Sequence, residues 1–262
     1  MPLPIPQNPF SHDLGVKIVP GKDQKKSLTL CCHGYGHNHE IVDIVHSNHI
    51  FSGNLVGFNF PDHDITPLND HHKSFYGSID EILPLLYLMK YYVCDQQMPN
   101  FNLYGFSAGG GAIVNALAIL NQQLYQERLQ SVGISNKEIK QIISALENGL
   151  IILDCPLKSM REIVASRGFS PELEILATRY EKNKMNPLDV LPSLSGLKLT
   201  IILNFQNPDE ILSNRDDKVF IERLKKANKG KTTVITGLHG GHNTYHRELC
   251  NYLKILDKTL HV

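Results

Sequence analysis

The chain has 262 residues, of which 42% are hydrophobic, and its 26 basic side chains balance 26 acidic ones. This length and hydrophobic content predict a single domain over residues 1–262 with one substantial core. The balanced charge gives no indication of a nucleic-acid partner or of an anionic membrane surface, so we expect a small-molecule partner.

The N-terminus and the cysteines bear on the cellular compartment. No basic segment followed by an apolar run opens the chain, and no later stretch reaches the length of a membrane span. The five cysteines are an odd number, and Cys31 and Cys32 are neighbours in an apolar stretch. This pattern is not that of a secreted disulfide framework. We therefore expect a cytoplasmic protein with reduced cysteines.

Short apolar runs alternate along the chain with longer segments of helical periodicity. This alternation is typical of βα units and predicts the α/β class, with a mostly parallel central sheet flanked by helices. Strands are predicted at an edge position, 16–19, and in the core at 28–32, 54–58, 101–104, 150–153, 199–205 and 232–235.

Several helix starts carry recognisable capping residues. Ser135 followed by Glu138 fits a capping box, and Ser170 before Pro171 fits an N-cap followed by a first-turn proline. Pro84 interrupts a helical run, which predicts a kink or a late start there. The predicted helices are 40–49, 78–92, 108–127, 136–146, 171–182, 214–226 and 245–258.

The strand at 101–104 is followed by Gly105-Phe106-Ser107-Ala108-Gly109 and then by a helical segment. Glycines two residues on either side of Ser107 allow a strained strand-to-helix turn that exposes its hydroxyl above the sheet. Backbone N–H groups and the helix dipole at that end stabilise a developing oxyanion. Ser107 is therefore the predicted nucleophile, although a turn that only caps a helix has the same short pattern.

An earlier loop, His33-Gly34-Tyr35-Gly36, follows the strand at 28–32. His-Gly-x-Gly after an early strand and Gly-x-Ser-x-Gly after a later one resemble the α/β-hydrolase superfamily. The arrangement of strands and helices, with Leu153-Asp154-Cys155-Pro156 after a strand, is similar to that of its small serine esterases, thioesterases and peptidases. The resemblance implies oxyanion-hole N–H groups from Tyr35 and Ala108, and a bracing role for His33. It also implies a short helical cap at about 157–195 and no cofactor.

The resemblance further implies an acid and a base, in that order, after the nucleophile. His242 lies in a Gly-rich loop after the last predicted strand and is the predicted base, in preference to His239 and His246. Asp209, close after the strand at 199–205, is the favoured acid. Asp217 is the alternative acid, although helix capping also explains its position. Asp154, in a turn reading Asp-Cys-Pro, is a third candidate.

These residues predict a serine hydrolase that cleaves an ester or thioester through an acyl-enzyme on Ser107. Two other hypotheses remain open. In the first, the chain has a hydrolase fold without catalytic activity and serves as a binding or scaffold protein. In the second, it is a metal-dependent hydrolase. The metal hypothesis depends on a histidine cluster whose spacing matches no zinc motif, so no metal is predicted. The cluster consists of His33, His37, His39, His63, His71 and His72.

Overall fold

A computed structural model gives the architecture of the chain. The structure describes residues 3–11, 13–22, 27–61, 78–98, 100–159, 162, 171, 175, 178, 185–206, 209, 211–212, 216–238 and 242.

Seven strands form one sheet in the order β1-β3-β2-β4-β5-β6-β7. The edge strand β1 runs antiparallel to β3, and every other neighbouring pair is parallel. All seven strands predicted from the apolar runs are confirmed, with ends that differ by at most a few residues. The strands are β1 Lys17–Val19, β2 Leu28–Cys32, β3 Asn54–Gly57, β4 Phe101–Phe106, β5 Leu150–Asp154, β6 Thr200–Gln206 and β7 Thr232–Leu238.

The central strands are buried along nearly their whole length because helices cover both faces of the sheet. All five residues of β2 are buried, as are four of the five residues of β5. Continuous rather than alternating burial is what a parallel sheet between two helical layers requires. The α-helices within the described residues are α1 Ile41–Ser47, α2 Ile79–Lys90, α3 Ala108–Asn121, α4 Gln126–Ser131, α5 Asn136–Glu147, α6 Pro187–Val190 and α7 Asp217–Ala227.

Helix α2 corrects the expectation of a late start at Pro84. The helix begins after Ser78, whose side chain forms a capping box with Glu81, and continues through the buried Pro84 to Lys90. A proline at this position removes one hydrogen bond to the preceding turn. The capping box and the packing of the apolar side chains around Pro84 offset that loss. The predicted capping box of Ser135 and Glu138 at the start of α5 is confirmed.

The single helix predicted over 108–127 is wrong, because α3 ends at Asn121. Gln122 adopts an extended backbone, and a short 3-10 turn and α4 follow it. The Asn121 amide donates to the carbonyl oxygens of Ser193 and Ser195, and the Gln122 amide donates to the Ser193 hydroxyl. These contacts with a segment some seventy residues away stop the helix.

Two predicted helices lie largely outside the described residues. Of the predicted helix 171–182, the structure describes three positions, Pro171, Ile175 and Thr178, and all three are helical. The predicted helix 245–258 is outside the described residues, as is most of the predicted cap at 157–195. None of the helices that the structure describes is long and apolar enough to cross a membrane.

The carboxyl ends of the central parallel strands meet at one edge of the sheet, the edge where α/β sheets bind ligands. A buried polar cluster links three of these strands. Tyr104 on β4 donates its hydroxyl to one oxygen of the Asp154 carboxylate at 2.5 Å, and the Asn204 amide on β6 donates to the other oxygen at 2.7 Å. All three side chains are inaccessible to solvent, so the carboxylate depends on these donors.

Replacing Tyr104 by Phe should lower the free energy of unfolding by about 1.5–3 kcal/mol, because a buried carboxylate loses a donor. Urea denaturation at neutral pH measures the change. Tyr92→Phe is the matched control, because Tyr92 is equally buried but its hydroxyl makes only a long 3.4 Å bond to the Pro4 carbonyl. The control should lose about 0.5 kcal/mol or less. Equal losses in the two variants would contradict the role given to the Asp154 cluster.

Candidate active site

Ser107 occupies the tight turn between β4 and α3. Its backbone has φ 51° and ψ −117°, a region that non-glycine residues rarely adopt. Two hydrogen bonds, one to the last residue of β5 and one to the chain just after it, hold this conformation. The Ser107 N–H donates to the Asp154 carbonyl at 2.9 Å, and the Ser107 carbonyl accepts from the Leu157 N–H at 2.8 Å. The turn therefore keeps its strained geometry because the neighbouring strand fixes it on both sides.

Glycines flank Ser107 because the chain passes very close to other backbone at both positions. A Cβ on Gly109 would lie 2.3 Å from the Cys32 carbonyl oxygen, and a Cβ on Gly105 would lie 2.7 Å from the Gly110 Cα. Neither contact can be relieved by moving a flexible side chain. Both positions of the Gly-x-Ser-x-Gly pattern thus require glycine for packing.

His242 lies between Ser107 and Asp209 and bonds to both. Its Nδ1 is 2.8 Å from Oδ2 of Asp209, and its Nε2 is 3.0 Å from Oγ of Ser107. An ionised carboxylate can only accept a hydrogen bond, so Nδ1 carries the proton in this arrangement. The lone pair of the neutral ring is then on Nε2, where it accepts from the Ser107 hydroxyl. The structure brings together the three residues predicted as nucleophile, base and favoured acid.

The second oxygen of Asp209 is held by the backbone. Its Oδ1 accepts from the N–H groups of Ile211 and Leu212 at 2.8 and 2.7 Å. Burial acts to raise the pKa of Asp209, but the hydrogen bonds from His242 and from the two backbone groups outweigh it and lower the pKa. Asp209 is therefore an ionised acceptor that fixes the orientation of the imidazole.

The two other candidate acids have different partners. The Asp217 carboxylate pairs with the Lys158 ammonium at 2.5 Å, and that ammonium also lies 3.1 Å from a carboxylate oxygen of Glu162. Asp154 is bonded to Tyr104 and Asn204 in the cluster described above. Neither residue holds the imidazole of His242 in the way that Asp209 does.

The loop at 33–36 lies against the nucleophile turn. A Cβ on Gly34 would lie 3.2 Å from the Ser107 Cβ. The buried His33 braces the loop, since its Nδ1 donates to the Gly34 carbonyl at 2.8 Å while its Nε2 accepts from the Phe60 N–H at 3.2 Å. Ala108 is the first residue of α3, where N–H groups have no partner within the helix. Tyr35 and Ala108 thus lie on the two segments that meet at Ser107.

Of the six histidines in the metal hypothesis, three lie within the described residues and three lie outside them. His33 serves the loop as described, and Nδ1 of His39 bonds to the Asn59 side chain at 3.0 Å. The ring of His37 contacts Phe106 edge-on. Outside the described residues lie His63, His71 and His72 of the proposed metal cluster, together with His239 and His246, the competitors for the base.

Sequence reasoning did not identify Cys155 as part of this site. It directly follows β5 with a positive φ of 44° and is buried beside Asp209 and His242. Burial, together with the charges of Asp154 and Asp209, raises the pKa of the thiol well above its usual range, so Cys155 is a poor nucleophile. Its place in an Asp-Cys-Pro turn at a strand end was the one signal available in the sequence.

No family model matches this sequence, and no curated protein matches it. Solved structures do match its fold. A carboxylesterase from Lactobacillus plantarum, Cest-2923, is 12% identical with a TM-score of 0.64, and the match covers 96% of this chain and 93% of the other. The Pyrococcus furiosus esterase Pf2001 is 15% identical with a TM-score of 0.57 over 99% and 96% of the two chains. An alpha-beta hydrolase from Vibrio vulnificus is 15% identical with a TM-score of 0.56 over 88% and 73%. Identities this low indicate a shared fold, so the activity must be argued from the site.

Backbone strain at Ser107 predicts an unusual stability order for two variants. Ser107→Ala and Ser107→Gly both lose the hydroxyl, but only glycine adopts a positive φ at little cost. The glycine variant should be more stable than the alanine variant by about 1 kcal/mol. Glycine relieves the backbone strain, and the larger loss of backbone entropy on folding offsets part of this gain. Thermal or urea unfolding of the two variants measures the difference. An alanine variant as stable as the glycine variant would show that the turn is unstrained.

The buried ion cluster predicts a pH dependence of stability. Burial raises the pKa of Glu162 from 4.5 to about 7, despite the neighbouring Lys158. Between these pH values the folded protein retains a proton that the unfolded chain has lost, so stability falls as the pH rises through this window. The fall due to Glu162 is on the order of 3 kcal/mol.

Glu162→Gln removes this contribution, so its free energy of unfolding should depend less steeply on pH than that of the wild type. Urea denaturation at about pH 5 and about pH 7.5 compares the two proteins. Glu222→Gln is the control, because Glu222 is exposed and its replacement should leave the wild-type pH dependence in place. An unchanged slope in Glu162→Gln would refute the assignment.

Proposed function

We propose that this chain, which has the α/β-hydrolase fold, is a serine hydrolase that cleaves an ester or thioester through an acyl-enzyme on Ser107. The observation that carries the proposal is the continuous pair of hydrogen bonds from Asp209 through His242 to Ser107. A nucleophile, a base and a group that orients the base are the elements of an activated serine. Their position at the carboxyl edge of the sheet is where this fold binds ligands.

In the first step the Ser107 oxygen attacks the carbonyl carbon of the substrate, and Nε2 of His242 takes the hydroxyl proton. The imidazolium then gives that proton to the leaving alcohol or thiol as its bond to the acyl carbon breaks. Water attacks the acyl-enzyme in the same way, with His242 again as the base. The acid is released and Ser107 recovers its proton.

Asp209 keeps the imidazole in the tautomer that these steps need. Its ionised carboxylate holds the proton on Nδ1 and stabilises the positive charge that develops on the ring. The backbone N–H groups of Ile211 and Leu212 fix the orientation of the carboxylate. The carboxylate in turn fixes the orientation of the His242 imidazole.

Two backbone donors, the N–H groups of Tyr35 and Ala108, are assigned the role of stabilising the negative charge that develops on the substrate oxygen. The loop of Tyr35 packs on the nucleophile turn, and Ala108 begins the 14-residue helix α3. The positive end of the helix dipole adds to the stabilisation of an oxyanion there.

An ester of a small molecule is the substrate class that we favour. The similar structures include a carboxylesterase and an esterase, and a serine site of this kind cleaves a thioester by the same steps. Fold similarity does not determine the acyl group or the leaving group. These steps draw on the side chains and backbone of the protein alone.

The choice of acid yields a direct test with a matched pair of variants. Asp209→Asn should reduce kcat/KM for a p-nitrophenyl ester by about 10³–10⁴, because an amide stabilises the wrong imidazole tautomer. Asp217→Asn should keep kcat/KM within about threefold of the wild type, since Asp217 pairs with Lys158 and not with His242. Circular dichroism verifies that both variants are folded. A large loss in Asp217→Asn with little change in Asp209→Asn would reverse the assignment.

Labelling with a fluorophosphonate probe, followed by intact mass measurement, tests for an activated serine without knowledge of the substrate. Wild-type protein should gain one adduct, and Ser107→Ala and His242→Ala should gain none. Absence of labelling in folded wild-type protein would contradict the proposal and favour a binding or scaffold protein. Retained labelling in Ser107→Ala would place the nucleophile elsewhere.

A further inference from the structure

Cys155 lies beside His242 and Asp209, and the three side chains together offer a set of metal ligands. One ligand atom each from Cys155, Asp209 and His242 lies within 4.8 Å of the other two, which among the described residues is the one group of this kind. Cys155 and His242 are 1% and 2% exposed. The steps of hydrolysis described above make no use of the thiol.

The donor set has the chemistry of a zinc site. A thiolate, an imidazole and a carboxylate are the three protein ligands that Zn²⁺ prefers, and three such ligands with an open position are common. Metal–ligand bonds of about 2.0–2.3 Å in a tetrahedral site correspond to ligand atoms about 3.4 Å apart. The three ligand atoms lie within 4.8 Å of one another, so a site of this size requires shifts of about 1 Å, including a widening of the 2.8 Å hydrogen bond between Asp209 and His242.

The local charge also favours a cation. The negative charges of Asp154 and Asp209 raise the pKa of the Cys155 thiol, and the positive charge of Lys158 lowers it. Lys158 is itself paired with Glu162 and Asp217. A bound divalent cation deprotonates a coordinating thiol, and that proton leaves to the solvent.

We propose that Cys155, Asp209 and His242 bind Zn²⁺ reversibly and that the bound ion switches off hydrolysis. The inhibitory part of the proposal rests on the proposed function, whereas the metal site stands on the geometry alone. Inhibition follows from the imidazole, which has one lone pair when neutral. Coordination through Nδ1 moves the ring proton to Nε2, and coordination through Nε2 uses the lone pair of that atom directly. In both cases His242 can no longer take the proton of Ser107.

Titration with Co²⁺, a spectroscopic substitute for Zn²⁺, tests the site independently of activity. Wild-type protein should develop the near-ultraviolet thiolate-to-cobalt charge-transfer band, and Zn²⁺ should displace the cobalt. Cys155→Ser should lose the band, and His242→Ala should bind Co²⁺ at least about tenfold more weakly. Cys94→Ser is the matched control and should retain the band, because Cys94 is a free, partly exposed cysteine in the turn after α2 and its thiol bonds to the Glu138 carbonyl of α5.

Zn²⁺ inhibition of ester hydrolysis tests the consequence, with each variant compared with its own rate in the absence of metal. The half-inhibitory Zn²⁺ concentration should rise at least about tenfold in Cys155→Ser and should not change in Cys94→Ser. Addition of a chelator should restore the wild-type rate. Cys155→Ala provides the same comparison if a buried serine hydroxyl disturbs folding, which circular dichroism detects.

The outcomes separate the two proposals. Wild-type protein without a cobalt band, or a Cys155→Ser variant that Zn²⁺ inhibits as strongly as the wild type, would overturn the metal site. Hydrolysis observed without the band would leave the serine hydrolase intact and remove the zinc switch. A cobalt band that depends on Cys155, in a protein that hydrolyses no ester and takes no fluorophosphonate label, would support the metal site and overturn the proposed function.

Discussion

The buried carboxylate of Asp154 joins the strand ends from which the site is built. Its two oxygens accept from Tyr104 on β4 and Asn204 on β6, and the Asp154 backbone carbonyl accepts from the Ser107 N–H. A buried carboxylate is costly unless it is satisfied in this way. The same residue thus fixes the spacing of three strands and holds the strained turn of Ser107, with Leu157 as the second restraint on that turn.

Two buried clusters of charged side chains come after β5 in the sequence, and different interactions stabilise their charges. Asp209 is stabilised by hydrogen bonds from His242 and from two backbone N–H groups, without a permanent cation, and its pKa is lowered. The Lys158 ammonium instead has two carboxylates beside it, and the pKa of Glu162 is raised. In the proposed mechanism the negative charge of the first cluster stabilises an imidazolium, whereas the second cluster takes up a proton near neutral pH.

Most of the fold was readable from local patterns. All seven strands were found from short apolar runs, because the central strands are buried between two helical layers and consist mostly of apolar residues. The errors arose where distant contacts decide an end of an element. Asn121 and Gln122 end α3 through hydrogen bonds to the segment around Ser193. That segment is too far along the chain for a local sequence pattern to include it. Pro84 lies inside α2 because packing and a capping box outweigh one lost hydrogen bond.

For the site, the sequence by itself determined the tight turn at Ser107 and the loop at 33–36, because a pattern of glycines around a strained turn depends on local backbone geometry. It also pointed to His242 and left Asp209 and Asp217 as alternatives. Only the tertiary structure decided which carboxylate faces the imidazole, and only it placed Cys155 beside them. Both depend on how the ends of β5, β6 and β7 converge, and distances between side chains on separate strands are set by packing across the sheet and not by spacing along the chain.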